Sequence, residues 1–505
     1  MNFRVMARAL GWLFTLESVA MLACGIFAYF DPEAQGRGAF ISLMVSAGTS
    51  FLVGIVLFLS GEKIPDRIPR REGILIVGLG WVFSAVFGAI PFLLGDVRLS
   101  PTEAFFESVS GFTTTGATVI ADLSEWPRGI LLWRSVMQWL GGLLILVLLV
   151  VLLSGSGGAK FLFSNESAFQ PEGTTTARIQ DKVLWFLLVY LGLTIICLLG
   201  LWGLGLSWFD AVAHAFTTVA TGGFSPHNDS IAHFSDLENG LLIEIWLAFF
   251  MILGGASFFI YVVILRGLLP GKGRIAALRN WKELRHVEEV RWYLLLILTG
   301  VLVVWISGSL GGEISLGESL RGAVFTVISI ASTTGYATVD YEQWPVAVYF
   351  TLLLLMLVGG CAGSTAGGMK VSRLILLVRA AWQEVVKAFR PKQVLRMRVN
   401  GNTIDDEARA QTVLFVALFG LISLVSMVVV AVVETTQGID FNTTVSAVLA
   451  TFGNIGPGYG EVGPTDHYGH FQPVTQLFLS LLMIMGRLEL YAVLVLFVPT
   501  VWKKY

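Results

Sequence analysis

The chain has 505 residues, 55% of them hydrophobic and only 13% charged, with a strongly positive mean hydropathy. That composition excludes a soluble globular protein, because many runs of about 20 apolar residues are each long enough to cross a bilayer. The net charge of −2 gives no sign of a nucleic-acid partner, and the three cysteines, Cys24, Cys197 and Cys361, all fall within apolar runs, where they form neither a disulfide framework nor a metal cluster.

Ten apolar spans are expected, at roughly 9–30, 39–60, 73–95, 128–153, 183–205, 241–266, 292–308, 346–378 (interrupted), 411–433 and 474–499. Residues 1–68 read as a leading helical hairpin. Leu22-Ala-Cys-Gly25 has the form of a lipoprotein cleavage site, but Glu17 interrupts the apolar run and a second span follows after a short turn. The first span is therefore read as an uncleaved helix.

Four units follow, at 69–180, 181–285, 286–400 and 401–505, each with an outward helix, a short re-entrant helix and loop, and a returning helix. The loops read Phe112-Thr-Thr-Thr-Gly-Ala-Thr118, Val219-Ala-Thr-Gly-Gly-Phe-Ser225, Ala331-Ser-Thr-Thr-Gly-Tyr-Ala-Thr338 and Thr451-Phe-Gly-Asn-Ile-Gly-Pro-Gly-Tyr-Gly460. Glu125-Trp126-Pro127 after the first loop recurs as Glu342-Gln-Trp344-Pro345 after the third. The expected fold is all-α and polytopic, with the hairpin and four helix–loop–helix repeats around one central pore. With the N-terminus inside and the four loops outside, the inner segments hold 27 of the 33 Lys and Arg residues, and the outer segments only Arg37, Arg98 and Arg321. That asymmetry satisfies the positive-inside rule, with both termini in the cytoplasm.

Non-helical backbone at membrane depth must be shielded by protein or line water, and rings of carbonyls replace the hydration shell of potassium in known filters. The candidate ion-binding residues are therefore Thr114, Thr115 and Gly116; Thr221, Gly222 and Gly223; Thr333, Thr334 and Gly335; and Asn454, Ile455 and Gly456. In the second loop, matching Phe224 to Tyr336 selects Gly223 as the pivot, whereas matching Ala-Thr-Gly to Thr-Thr-Gly selects Gly222; the first match is preferred. The competing view is that these are ordinary turns. Arg487, set among Leu481-Leu-Met-Ile-Met-Gly486, faces either water or a partner, because a central arginine costs roughly 2.5–3.5 kcal/mol. It reads as an electrostatic barrier beneath the loops or as one half of a structural ion pair, for which Glu489 is badly placed. Arg134 either snorkels or braces the first short helix. The third returning helix breaks at Gly359-Gly-Cys-Ala-Gly-Ser-Thr-Ala-Gly-Gly368, a flexible strap or a small-residue packing surface at the depth of Arg487. No catalytic constellation or nucleotide loop is present, so an enzyme is not expected; the histidines read as surface or packing residues.

Together the loops, Gln138-Trp139-Leu-Gly-Gly142, Gly254-Gly-Ala-Ser-Phe-Phe259, Gly363-Ser-Thr-Ala-Gly-Gly-Met-Lys370 and the Met-Gly-Arg-Leu-Glu stretch resemble the TrkH/KtrB superfamily of potassium transporters over essentially the whole chain. The leading hairpin points to the TrkH branch. The resemblance implies a bacterial inner-membrane homodimer in which Gly116, Gly223, Gly335 and Gly456 set selectivity. It also implies a gate at Gly359, Gly360, Gly363, Ser364, Thr365, Gly367, Gly368 and Arg487. Potassium is the expected substrate, and no cofactor is expected in the chain itself. Cytosolic TrkA-like subunits binding NAD or ATP would regulate it, docking on the basic segments 266–291 and 379–409. A glycine in all four loops favours potassium over sodium by the family pattern, while Asn454-Ile455 and Pro457 make the fourth loop the most divergent. Channel-like conduction and proton- or sodium-coupled symport remain open, as does, more remotely, transport of another solute.

Overall fold

The computed structural model describes residues 2–31, 37–62, 70–154, 177–268, 288–310, 315–391, 393, 397–399, 402–404, 406–488, 490, 493, 494 and 498. Apart from a two-residue ladder between Arg398–Val399 and Asn402–Thr403, the described elements are helical. Helices α1 (Phe3–Phe30) and α2 (Gly38–Ser60) form a hairpin that packs on α3 (Arg70–Leu93) and α5 (Arg128–Ser154).

Between α3 and α5 lies the short α4 (Pro101–Phe112), and the arrangement recurs three times. Helix α6 (Ala177–Gly203) leads to the short α7 (Trp208–Val219) and to α8 (Gly240–Gly255) with α9 (Phe258–Leu268). Helix α10 (Glu288–Leu310) leads to α11 (Leu316–Ala331), then α12 (Val346–Val358) and α13 (Val371–Phe389). Last come α14 (Asp406–Val433), α15 (Phe441–Phe452) and α16 (Pro473–Arg487).

Local sequence defines both ends of each short helix. Ser100, Ser207, Ser315 and Asp440 are N-caps whose side chains accept from the amides of Glu103, Asp210, Glu318 and Thr443. At the other end, Thr114, Thr221, Thr333 and Asn454 each bond a carbonyl three residues back, and the next residue bonds one five residues back. This six-to-one closure, with a left-handed residue inside it, is a Schellman ending. Each returning helix then packs on the next unit's short helix: α5 on α7, α8 on α11, α12 on α15 and α16 on α4. The last of these contacts closes the ring.

Seven described helices are long and apolar enough to cross a membrane. They cover seven of the ten expected spans. The run at 241–266 differs from the expected continuous helix: α8 and α9 meet at 95°. Ala256 is extended there, and the Phe258 amide bonds the Gly363 carbonyl at 2.9 Å instead of a helical carbonyl. The run at 346–378 is interrupted as expected, between α12 and α13. At 474–499 helix is described as far as Arg487, and Glu489 lies outside the described residues.

Candidate functional site

The four loops converge at the floor of an open vestibule of about 650 Å³, lined by Gly116, Gly223, Gly335 and Gly456 together. These glycines have φ of 84°, 80°, 82° and 100°, in the left-handed region that a side chain disfavours. The positive φ falls at Gly223, so the second loop is in register with the others through Phe224 and Tyr336. The glycines also interlock. A Cβ at Gly116 would overlap the Gly222 carbonyl, one at Gly223 the Thr334 carbonyl, one at Gly335 the Ile455 carbonyl, and one at Gly456 would lie 2.7 Å from the Thr115 carbonyl. Four backbones thus form one closed ring in which no loop has space for a side chain at its pivot.

Two residues before each glycine stands Thr114, Thr221, Thr333 or Asn454, with φ between 51° and 57°. A β-branched residue is a rare occupant of that region and costs about 1–2 kcal/mol there. Three of the four side chains make contacts just beneath the ring. The Thr333 hydroxyl accepts from the Gly367 amide at 2.7 Å, Thr221 Oγ1 lies 3.4 Å from Thr365 Oγ1, and Asn454 Nδ2 donates to Thr115 Oγ1 and to the Met483 carbonyl, each at 2.9 Å. The buried Thr114 hydroxyl has no partner among the described residues.

Polar side chains from α5 and from the 3-10 turns after the third and fourth loops brace the ring. Gln138 donates to the Gly222 carbonyl at 2.7 Å and accepts from the Phe224 amide at 3.1 Å. Tyr468 donates to the Gly456 carbonyl at 2.7 Å, and Tyr341 to the Gly458 carbonyl at 3.0 Å. Arg134 is buried and does not snorkel. It pairs with the buried Glu107 on α4 at 2.7 Å, donates to the Ser225 carbonyl at 3.1 Å, and lies 4.0 Å from the Phe224 ring. Tyr468, Tyr341 and Glu289 (below) were not singled out in the sequence; their only signal there is a polar group at the edge of an apolar run.

Beneath the ring, Gly359 to Gly368 form a strap between α12 and α13. Its neck closes where Gly359 and Gly368 stack, with φ of 72° and 74°. Gly360 packs on Gly255, and the Cys361 amide bonds the Gly255 carbonyl at 2.8 Å. Ser364 Oγ donates to the Cys361 carbonyl at 2.6 Å. At the tip, Thr365 Oγ1 lies 3.0 Å from the Val219 carbonyl and 3.1 Å from that of Gly254, while Gly367 packs on Asn454. The strap is thus bonded to the bases of the second and third loops and packed on that of the fourth.

Arg487 is 3% exposed and donates from Nη1 to the Thr365 carbonyl at 2.5 Å. Its Nε and Nη2 have no hydrogen-bond partner, and no ion pair reaches it among the described residues. The strap's flanks share one more anchor. Glu289 Oε1, on the first turn of α10, accepts from the Ala362 amide at 2.7 Å and the Ser372 amide at 3.2 Å. Its neighbour Glu288 pairs with Arg379 at 2.7 Å.

Of the histidines, His214 is fully buried between the Asp210 carbonyl and Ser225 Oγ, and His227 pairs with Asp210 at 2.9 Å. Among the described residues no group of side chains is placed to hold a metal as protein ligands. Within the basic segments 266–291 and 379–409, residues 269–287, 392, 394–396, 400, 401 and 405 lie outside the described residues.

The chain matches the TrkH family, described as cation transport protein, over residues 47–504. It is 34% identical over 519 residues to the Trk system potassium uptake protein TrkH of Halomonas elongata, covering 100% of both chains. Against the Trk system potassium uptake protein TrkH of Escherichia coli it is 33% identical over 509 residues, again with 100% of both covered. The crystal structure of the potassium transporter TrkH from Vibrio parahaemolyticus superposes with a TM-score of 0.84 at 32% identity, covering 100% of each chain.

Proposed function

The chain belongs to the TrkH family of cation transport proteins, and from that premise we propose that it takes up potassium across a bacterial inner membrane through the glycine ring. One observation carries the reading: Gly116, Gly223, Gly335 and Gly456 line a single vestibule and interlock carbonyl to glycine around it. Carbonyls of the four loops (Thr114 to Gly116, Thr221 to Gly223, Thr333 to Gly335, Asn454 to Gly456) replace the water around a potassium ion. The short helices α4, α7, α11 and α15 end at these loops, so the negative ends of four helix dipoles add to the attraction for a cation.

Below the ring the strap and Arg487 act as the gate. The Arg487 guanidinium, with no anionic partner among the described residues, repels a cation leaving the ring, and the bonds of Thr365 and Gly367 hold the strap across the exit. Glu289 ties both flanks of the strap to the first turn of α10, immediately after the basic segment at 269–287. A cytosolic TrkA-like subunit carrying NAD or ATP, docked on that segment, would reach the gate through this turn. The protein works as a homodimer with both termini in the cytoplasm, and it performs transport and no catalysis.

Rubidium and sodium influx into proteoliposomes, under separately imposed potassium, sodium and proton gradients, tests the reading. Influx driven by the cation's own gradient, with rubidium preferred, supports it; influx that requires a proton or sodium gradient makes the protein a coupled symporter instead.

A further inference from the structure

Glu17 takes no part in the pathway, yet it lies midway along α1, buried to 2% exposure in a helix that crosses the membrane. Its one polar neighbour is the equally buried Ser84 hydroxyl on α3, and neither carboxyl oxygen nor that hydroxyl makes a hydrogen bond of good geometry among the described residues. An ionisable group at bilayer depth is costly and marks a functional position by default. Both residues line one cavity of about 420 Å³ between the leading hairpin and the first unit. Apart from Thr15, whose hydroxyl donates to the Gly11 carbonyl, its other walls are apolar: Trp12 and Leu16 on α1, Phe112 at the end of α4, and Leu143 and Leu144 on α5. Trp12, Leu16 and Val19 are 50–59% exposed, so the cavity opens on the face turned to lipid.

We propose that this cavity binds an uncharged, mainly hydrocarbon molecule dissolved in the bilayer that carries one hydrogen-bonding oxygen, a hydroxyl or a ring carbonyl. The chemistry of the walls selects the occupant. Hydrocarbon alone would fill the apolar part but leave the carboxyl of Glu17 with nothing beyond the poorly aligned Ser84 hydroxyl to satisfy its two oxygens. A charged headgroup is excluded by depth, since it would have to leave the interface for the bilayer centre. A single oxygen beside Glu17 and Ser84 satisfies both, and the chain of the molecule lies along Leu143 and Leu144. The bound molecule touches Phe112, two residues before Thr114, so occupancy would bear on the first loop.

The test is photolabelling of the intact protein in liposomes with a diazirine analogue of octanol, mapped by mass spectrometry, with a diazirine analogue of octane as control. Labelling of the segments around Glu17 and Leu143 should saturate with the alcohol probe and be competed by octanol but not by octane. Leu143→Trp, which fills the cavity and leaves Glu17 in place, should abolish the label at Glu17. Glu17→Leu should remove the alcohol-over-alkane preference of the label on α5. Labelling that rises with bulk probe without saturating, or that octane competes equally, overturns the proposal, and that arm needs no variant. A folded Leu143→Trp protein that labels like the parent overturns it as well.

Discussion

Replacing Arg487 by Met removes a charge and a donor while keeping an unbranched chain. Nη1 donates to the Thr365 carbonyl at 2.5 Å, and Nε and Nη2 have no partner among the described residues. A hydrogen bond from a charged group is worth about 1.5–3 kcal/mol net. At 1.4 kcal/mol per tenfold, its loss shifts the strap toward the displaced state by roughly 10- to 150-fold. Stability should move the other way, since a cation at bilayer depth with no anionic partner among the described residues costs about 2.5–3.5 kcal/mol that the variant no longer bears. The assay is rubidium influx per folded protein in liposomes without any cytosolic subunit, paired with thermal stability by size-exclusion chromatography. The expected result is faster influx together with unchanged or higher stability. A purely structural arginine predicts lower stability and lower influx. The reasoning is refuted if the variant folds as well as the parent and its influx changes by less than about twofold, which is under 0.5 kcal/mol.

Glu289→Leu should release both flanks of the strap, speeding hydrogen exchange at the Ala362 and Ser372 amides and raising basal influx, while Glu289→Gln, which keeps an acceptor, should restore both; unchanged exchange in the Leu variant would remove Glu289 from the gate. Gly116→Ser and Gly223→Ala each place a Cβ against a neighbouring carbonyl at φ near 80°. They should lower the rubidium-to-sodium permeability ratio about tenfold or more, equivalent to 1.4 kcal/mol of selectivity; an unchanged ratio in either folded variant would take that loop out of the filter. In the turn after the third loop, burial and then the nearby Asp340, Asp466 and Asp440 carboxylates push Glu342 from 4.5 up to about 7. A carboxyl raised in this way favours folding below about pH 4.5 and loses that contribution as pH rises through 7. Glu342→Gln should therefore gain melting temperature over the parent at pH 8 and not at pH 4, and equal shifts at both would contradict the assignment.

Much of the local architecture was written in the residues. Glycine, threonine and serine at recurring positions announce the short helices, because a Ser or Asp cap and a left-handed residue at the far end are local requirements. The break at Gly359 to Gly368 was equally plain, since five glycines in ten residues cannot hold a helix. The bend after Gly255 was hidden. Gly254-Gly255 looks like helix packing, and only the distant Gly363 carbonyl, which takes the Phe258 amide, draws the chain out of the helix. The bracing groups were hidden for the same reason: the roles of Gln138, Tyr468 and Glu289 depend on carbonyls and amides 12 to 86 residues away in sequence. Arg487 was visible as an anomaly, but its contact with Thr365 spans 122 residues and has no sequence signature.

The central claim, that four loops of one chain make a single cation filter, is tested most directly by anomalous scattering from crystals grown with thallium in place of potassium. The account predicts a peak on the axis enclosed by Gly116, Gly223, Gly335 and Gly456, lost in Gly223→Ala crystals. A transport-competent protein with no peak inside the ring, or with its thallium bound elsewhere in the membrane, would contradict it.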